Sequence, residues 1–116
     1  MDIAALAREL GLDEEDVRRL VHTFLDSTEQ DLVQLGRAFS KKDAVQLRAT
    51  AHHINGAAGN LELNEIAEAA LAIEEKVRAG IIEDPAAPIK LMRSRLEMIR
   101  SQLSREEEDH GRSDIS

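Results

Sequence analysis

The sequence predicts an all-α fold, specifically an antiparallel four-helix bundle with a short additional N-terminal helix. Alanine, leucine, glutamate and arginine dominate the composition, and runs of β-branched residues are absent. Apolar residues recur at spacings of three and four, which is typical of helices that bury one face. The two prolines of the chain, Pro85 and Pro88, lie close together and predict a break between helices. Four amphipathic helices joined by short loops pack as an antiparallel bundle.

The first two helices are predicted from their caps and their apolar spacing. A short helix over residues 3–10 follows Asp2, whose side chain can cap it, and ends at Gly11. Asp13 is predicted to cap a long second helix that continues to about residue 40. Gly36 lies inside this helix, where it costs about 1 kcal/mol relative to alanine and indicates a close helix contact. The predicted apolar stripe of the second helix comprises Val17, Leu20, Val21, Phe24, Leu25, Leu32, Leu35 and Phe39.

Three further helices are predicted in the second half of the chain. The third covers about residues 43–59, and the fourth covers about residues 64–79 with Asn64 as its cap and Gly80 as its end. The fifth begins in the segment 85–88. The inward-facing residues are predicted to be Ala44, Leu47, Ala51, Ile54, Ala58 and Leu61 in the third helix, Ile66, Ala70, Ile73 and Val77 in the fourth, and Ile89, Met92, Leu96, Ile99 and Leu103 in the fifth.

The length predicts one domain. A chain of 116 residues has the size of a single domain, and the apolar periodicity places the helical bundle in residues 1–104. From Arg105 onward the chain is polar and includes four consecutive acidic residues. Residues 105–116 are therefore predicted to form a disordered polar tail.

Composition and charge exclude several classes of function. The formal net charge is −8, so binding to nucleic acid or to an anionic membrane surface is not expected. Aromatic residues make up 2% of the chain, which disfavours base stacking and an aromatic-lined ligand pocket. The chain has no cysteine, which excludes disulfides and thiol catalysis. No apolar run has the length of a membrane span, and no signal peptide is expected, so we expect a cytoplasmic protein.

The most informative stretch is the segment 51–61 of the third helix, which contains two adjacent histidines and two glycines. Residues of a helix advance by about 100° each, so the predicted core residues of this helix fall on one side. His52 points away from that side, and Gly56 and Gly59 lie on its own face, one and two turns further on. His53 lies on the other flank. The helix surface beside His52 is therefore bare, and a large partner can approach the imidazole there.

These residues also admit other interpretations. A single exposed histidine is most often a solvated surface residue, and glycines can serve close packing between helices. Adjacent histidines diverge and cannot chelate one ion, while His22 and Asp26 have a ligand-like i, i+4 spacing without a metal motif, so no metal site is expected. Nucleophile-elbow, Walker and G-x-G-x-x-G patterns are absent, which disfavours a hydrolase or an ATP site. Carboxylates such as those of Glu14 and Glu74 are interpreted as parts of solvated i, i+4 pairs with Arg18 and Arg78.

The run His52-x-Ile54-x-Gly56, followed by Ala57-Ala58-Gly59, resembles the signature of histidine-containing phosphotransfer domains of bacterial phosphorelays. The context is also similar: the Phe24-Leu25 pair and the segment 38–43 resemble the preceding helices of the family, and the segment 73–80 resembles the following helix and turn. The resemblance covers roughly residues 10–104. Its register selects His52, and not His53, as the phosphorylated residue.

The resemblance implies a phosphoryl carrier without its own ATP site rather than an enzyme. His52 would accept the group from a receiver-domain aspartate or from a sensor or hybrid histidine kinase, and would pass it to another receiver. An exposed imidazole is mostly neutral at pH 7 and therefore nucleophilic. No cofactor is expected in this chain, because Mg²⁺ bound by the partner receiver can stabilise the charge. The docking surface is expected on the His52 face, at Val45, Arg48, Ala49, Asn55, Gly56 and Gly59.

Two positions depart from the family pattern. The frequent lysine three residues after the histidine is Asn55 here, and the frequent glycine ten residues after it is Glu62. Arg48, one turn before His52, is a candidate for the missing charge, so Arg48, Asn55 and Gly56 are predicted as neighbours of the phosphoryl group. These departures leave an alternative open, a non-catalytic helical interaction module of the same fold. The polar outer faces favour a monomer.

Overall fold

A computed structural model gives the fold, and it describes the backbone of residues 1–115 and the side chains of residues 1–108. It contains α1 (Ile3–Leu10), α2 (Glu14–Ser40), α3 (Ala44–Asn60), α4 (Asn64–Arg78) and α5 (Ala86–Ile115). Within residues 1–115 there is no strand, and the predicted all-α class is confirmed. None of the helices in this described part is long and apolar enough to cross a membrane.

Helices α2 to α5 form the bundle. Helix α3 packs against α2 and α4, and α5 closes the ring by packing against both α4 and α2. The short helix α1 packs against α2 and contributes Ile3, Leu6 and Ala7 to the core. This arrangement places α3 and α4 side by side, with an outward-facing groove between them.

The core follows the predicted stripes closely. Val17, Val21, Leu25 and Leu32 of α2 are buried, as are most of the predicted residues of the other helices. Leu20 is the exception in α2, because its side chain is 44% exposed. The residues that are only half-buried, at the edges of their stripes, are Ala44, Phe39, Val77 and Ile89.

Left-handed backbone conformations end the first four helices. The predicted ends Gly11 and Gly80 have φ of 69° and 84°. At the ends of α2 and α3 the same conformation is adopted by Lys42, with φ of 56°, and by Glu62, with φ of 59°. In each case the next amide donates to the carbonyl five residues earlier, as in the hydrogen bond from Leu63 to Ala58 of 2.9 Å. Glu62 therefore occupies a position for which glycine is the favoured residue.

The start of α4 differs from its prediction. Asn64 is the first residue of the helix, and Leu63 holds the N-cap position without a capping side chain. The predicted cap Asp2 is confirmed, because its carboxylate accepts a hydrogen bond of 3.0 Å from the amide of Ala5. Asp43, where the third helix was predicted to begin, is the N-cap of α3 and accepts a hydrogen bond of 3.0 Å from the amide of Gln46. Asp13 is the N-cap of α2, but its side chain makes no capping hydrogen bond.

Helix α5 extends beyond its predicted end. The sequence predicts a polar tail from Arg105, whereas α5 continues through Ile115. Its first added turn is held by Arg105, which donates to the carbonyl of Ser101, and by His22, whose Nε2 lies 2.8 Å from Oε1 of Glu107. Glutamate and arginine are good helix formers, so a polar composition does not by itself end a helix. The side chains of the predicted tail from residue 109 onward, and the whole of residue 116, lie outside the described residues.

Glu62 also lies close to α1. The neighbouring Glu9 raises the pKa of Glu62 above its usual value of 4.5, because protonated Glu62 can share a hydrogen bond with Glu9 and because two ionised carboxylates repel each other. Two acidic groups thus meet where the end of α1 approaches the turn between α3 and α4.

Candidate functional site

His52 stands on the outer face of α3. Its neighbours on the inner face, Ala51 and Ile54, are fully buried, whereas the His52 side chain is 72% exposed. Gly56 and Gly59 are exposed on the same side, and a Cβ atom built on either glycine meets no atom within 4 Å. Close packing of these glycines inside the described chain is therefore excluded as their explanation. The helix surface beside the imidazole is open to a partner, as predicted.

A carboxylate from the neighbouring helix orients the imidazole. Nδ1 of His52 lies 3.0 Å from Oε1 of Glu74 on α4. An ionised carboxylate can only accept a hydrogen bond, so Nδ1 carries the proton and donates it. Nε2 then holds the lone pair. This tautomer presents a nucleophilic nitrogen on the exposed His52 side chain.

Glu74 does not lie on a solvated helix face, as its sequence interpretation has it. Its side chain is 4% exposed, and the same Oε1 atom that accepts from His52 accepts from the guanidinium of Arg78 at 2.9 Å. The i, i+4 pair with Arg78 is present, but it serves a buried carboxylate. The sequence does contain a signal for the burial of Glu74. This residue follows the buried Ala67 and Ala70 at spacings of seven and four, which places it at the edge of the inner stripe.

The site lies in an open groove of about 550 Å³ between α3 and α4. Three of the predicted docking residues, Val45, Arg48 and Ala49, line this groove together with His52. The other lining residues are Ala44, Glu74, Val77 and Arg78. The groove thus joins the first half of α3 to the last turns of α4, and the second helix of this surface was not foreseen from the sequence.

The side chain of Asn55 is engaged by the neighbouring helix. Its Nδ2 donates a hydrogen bond of 2.9 Å to the main-chain carbonyl of Ala67, which ties α3 to α4. Asn55 is half-buried and does not line the groove, and neither do Gly56 and Gly59. The structure therefore separates two parts of the predicted docking surface: a groove before His52 and a bare helix surface after it.

His53 belongs to another face of the bundle. Its Nδ1 lies 2.7 Å from Oδ2 of Asp31 on α2. The two adjacent imidazoles are thus held by carboxylates of different helices and do not converge. His22 contacts Glu107 instead of Asp26, which pairs with Arg100 at 3.2 Å. Among the side chains that the structure describes, no three His, Cys, Asp or Glu residues come together at a potential metal site.

A larger groove, of about 820 Å³, lies between α2 and α5 and includes Gly36. It contains no histidine, and its charged residues are Asp84, Lys90, Arg93 and Glu97. Its size alone does not make it the candidate site, because the oriented imidazole of His52 lies in the groove between α3 and α4. The close helix contact predicted at Gly36 is absent from the described residues, since nothing lies within 4 Å of a Cβ built there.

Comparisons with known proteins identify a family and a similar solved structure. The family model described as "Hpt domain" matches residues 19–102. The crystal structure of histidine-containing phosphotransfer protein B (HptB) from Pseudomonas aeruginosa PAO1 is similar to this chain, with 28% sequence identity and a TM-score of 0.79. The match covers 94% of this chain and 95% of that one. No curated protein matches the chain.

Proposed function

Because the chain belongs to the Hpt domain family, whose members carry phosphoryl groups in two-component phosphorelays, we propose that His52 is its phosphoacceptor. The observation that carries this proposal is the hydrogen bond between Nδ1 of His52 and the buried Glu74, which leaves Nε2 as the exposed nucleophile. His53 has a similar carboxylate partner, but it lies outside the groove between α3 and α4.

The proposed transfer starts from the aspartyl phosphate of a receiver domain. The lone pair of Nε2 attacks phosphorus, the bond between phosphorus and the aspartate oxygen breaks, and the aspartate leaves as a carboxylate. The phosphorylated ring of His52 keeps its Nδ1 proton and becomes cationic. Glu74 accepts a hydrogen bond from Nδ1–H and stabilises the positive charge of the ring. Donation to a second receiver is the same step in reverse.

This reaction requires few functional groups from the chain itself. Phosphoryl transfer depends mainly on in-line positioning and on stabilisation of charge, and Mg²⁺ bound in the receiver can supply part of the latter. The chain contributes a nucleophile, a carboxylate that orients it, and free access. We therefore infer a carrier that needs no cofactor and no ATP site of its own, and that acts as an intermediate between catalytic partners.

The receiver is proposed to dock over the groove and the bare surface beside it. Val45 is 81% exposed at one side of the groove and offers an apolar contact, while Arg48 lies on the same face of α3. Gly56 and Gly59 leave room for a partner loop on the other side of His52. A small patch without large aromatic residues suits a transient complex. We propose that the chain acts as a cytoplasmic monomer in such complexes, with either a receiver or a histidine kinase as the donor.

The test is phosphotransfer from a phosphorylated receiver domain, followed by intact mass on the wild type, His52→Gln and His53→Gln. We expect one acid-labile and base-stable phosphoryl group that only His52→Gln lacks. Loss of the label only in His53→Gln would move the site to the neighbouring histidine. A folded wild type that binds receivers without ever taking a label would support the alternative, an interaction module of the same fold.

A further inference from the structure

Under the proposed function, phosphorylation of His52 adds negative charge to a groove that already contains the buried carboxylate of Glu74. A phosphoryl group on Nε2 of His52 brings about two negative charges onto a ring whose other nitrogen contacts the buried Glu74 carboxylate. The cationic ring lies between these groups but offsets only part of their charge, so phosphorylated His52 and Glu74 together keep about two negative charges unless a further cation lies beside them. Asn55 cannot supply that cation, because it is neutral and its amide is bonded to Ala67.

We propose that Arg78 binds the phosphoryl group on phosphorylated His52, an inference that rests on the proposed function. Its guanidinium donates to the same Oε1 of Glu74 that accepts from His52, so the cation is already one hydrogen bond from the atom that holds the imidazole. Arg78 also lines the groove beside the ring. Phosphorylation gives the guanidinium a dianion as a second partner.

The side chain of Arg78 has the freedom this role requires. It is 56% exposed, whereas Glu74 is 4% exposed, so the arginine can turn toward the phosphoryl group while the carboxylate stays in place. A guanidinium has several donors in one plane and can bind phosphate oxygens in a bidentate manner while one donor remains on Glu74. The same cation thereby offsets both negative groups.

Arg48 is the competing candidate in the same groove. It lies one turn before His52 on α3, and its side chain is exposed. The structure favours Arg78, because its position is already held by a buried partner next to the ring, so little conformational entropy is lost when it binds the phosphoryl group. Arg48 would have to be ordered from solvent. We therefore expect Arg78 to contribute more than Arg48.

The equilibrium constant of phosphotransfer tests this inference. For the exchange between a phosphorylated receiver and the chain, this constant depends on the free energies of the separate proteins and not on docking contacts. Arg78→Ala should shift it about tenfold toward the phosphorylated receiver, since a charge-assisted hydrogen bond at an exposed site is lost. Arg78→Lys should shift it less, because the charge remains and only the planar geometry is lost. Added salt should reduce the difference between wild type and Arg78→Ala.

Arg19→Ala is the matched control. Arg19 forms an i, i+4 pair with Glu15 on α2, as Arg78 does with Glu74, but its partner is exposed and the pair lies outside the groove. We expect this variant to keep the wild-type constant. A wild type labelled on His52, with Arg78→Ala equal to Arg19→Ala, would overturn the inference and leave the proposed function intact. A larger shift in Arg48→Ala than in Arg78→Ala would also overturn it.

The tautomer of His52 distinguishes binding of the phosphoryl group by Arg78 from a purely structural role of that residue. Long-range ¹⁵N–¹H spectra of the unphosphorylated protein report which ring nitrogen carries the proton. We expect the Nδ1–H form to persist in Arg78→Ala, because Glu74 still accepts from it. If Arg78→Ala changed the tautomer as much as Glu74→Ala does, Arg78 would act only by holding Glu74, and the inference would be wrong. A wild type without any label, or a labelled His52→Gln, would instead contradict the proposed function.

Discussion

Removal of the Glu74 carboxylate should slow phosphorylation of His52 without unfolding the bundle. The structure supplies the magnitude: Nδ1 donates a 3.0 Å hydrogen bond to a carboxylate, and such bonds contribute about 1.5 to 3 kcal/mol. Because the imidazole is 72% exposed, the lower end applies, about 1.5 kcal/mol. That energy corresponds to about tenfold in rate. Glu74→Ala should therefore be about tenfold slower than wild type.

Glu74→Gln refines this prediction. The amide oxygen still accepts from Nδ1, but a neutral hydrogen bond has about half the strength of a charge-assisted one, so the rate should fall only about threefold. The assay is phosphorylation by phosphoramidate, followed by intact mass. In this reaction Nε2 attacks phosphorus, the P–N bond of the reagent breaks and ammonia leaves, so receiver docking does not contribute.

Asp31→Ala provides the matched control, since it removes the carboxylate that contacts the adjacent His53 at 2.7 Å. We expect it to be labelled at the wild-type rate. Circular dichroism melting checks that each variant is folded. If Glu74→Ala were labelled as fast as Asp31→Ala, the buried carboxylate would have no influence on His52, and its proposed role would be wrong.

Three further variants test the helix surface and the turns. Gly56→Leu should raise the stability by about 1 kcal/mol, since the site is open, while it slows transfer from a receiver more than labelling by phosphoramidate. Glu62→Gly should raise the melting temperature, because it relieves a left-handed backbone with φ of 59°. The raised pKa of Glu62 means that protonation favours the folded state. That stabilisation is present below pH 4.5 and is lost as the pH rises through the raised value. Glu9→Gln should therefore raise the melting temperature more at pH 7 than at pH 4.

The sequence predicted the faces of the helices better than their ends. Apolar spacing places Ala51 and Ile54 inside and His52 outside, because the buried residues of a helix recur in the sequence with the helical period. Glycine marks the ends of α1 and α4, but Lys42 and Glu62 adopt the same left-handed conformation after α2 and α3 without being glycine. The ends near residues 40 and 59 were predicted, but the left-handed turns there are shown only by the structure, through hydrogen bonds such as that from Leu63 to Ala58.

The sequence alone predicted part of the candidate site. His52 and the bare surface beside it follow from positions on one helix. Glu74 also lies at the edge of an inner stripe, but its i, i+4 spacing to Arg78 favoured a solvated position, because such pairs usually lie in solvent. Its burial depends on the neighbouring α3, which covers it and brings the imidazole to it. The amide of Asn55 is likewise engaged by a carbonyl of another helix, which no pattern along a single helix can show.

The position of the phosphoryl group on the ring is the most direct test of the proposed role of His52. ³¹P and ¹⁵N spectra of the phosphorylated chain identify the residue and the nitrogen that carries phosphorus. We predict phosphorus on Nε2 of His52, with the proton retained on Nδ1, which donates a hydrogen bond to Glu74. Phosphorus on Nδ1 of His52, or on either nitrogen of His53, would contradict it, because the hydrogen bond that orients the nucleophile would then have no part in the transfer.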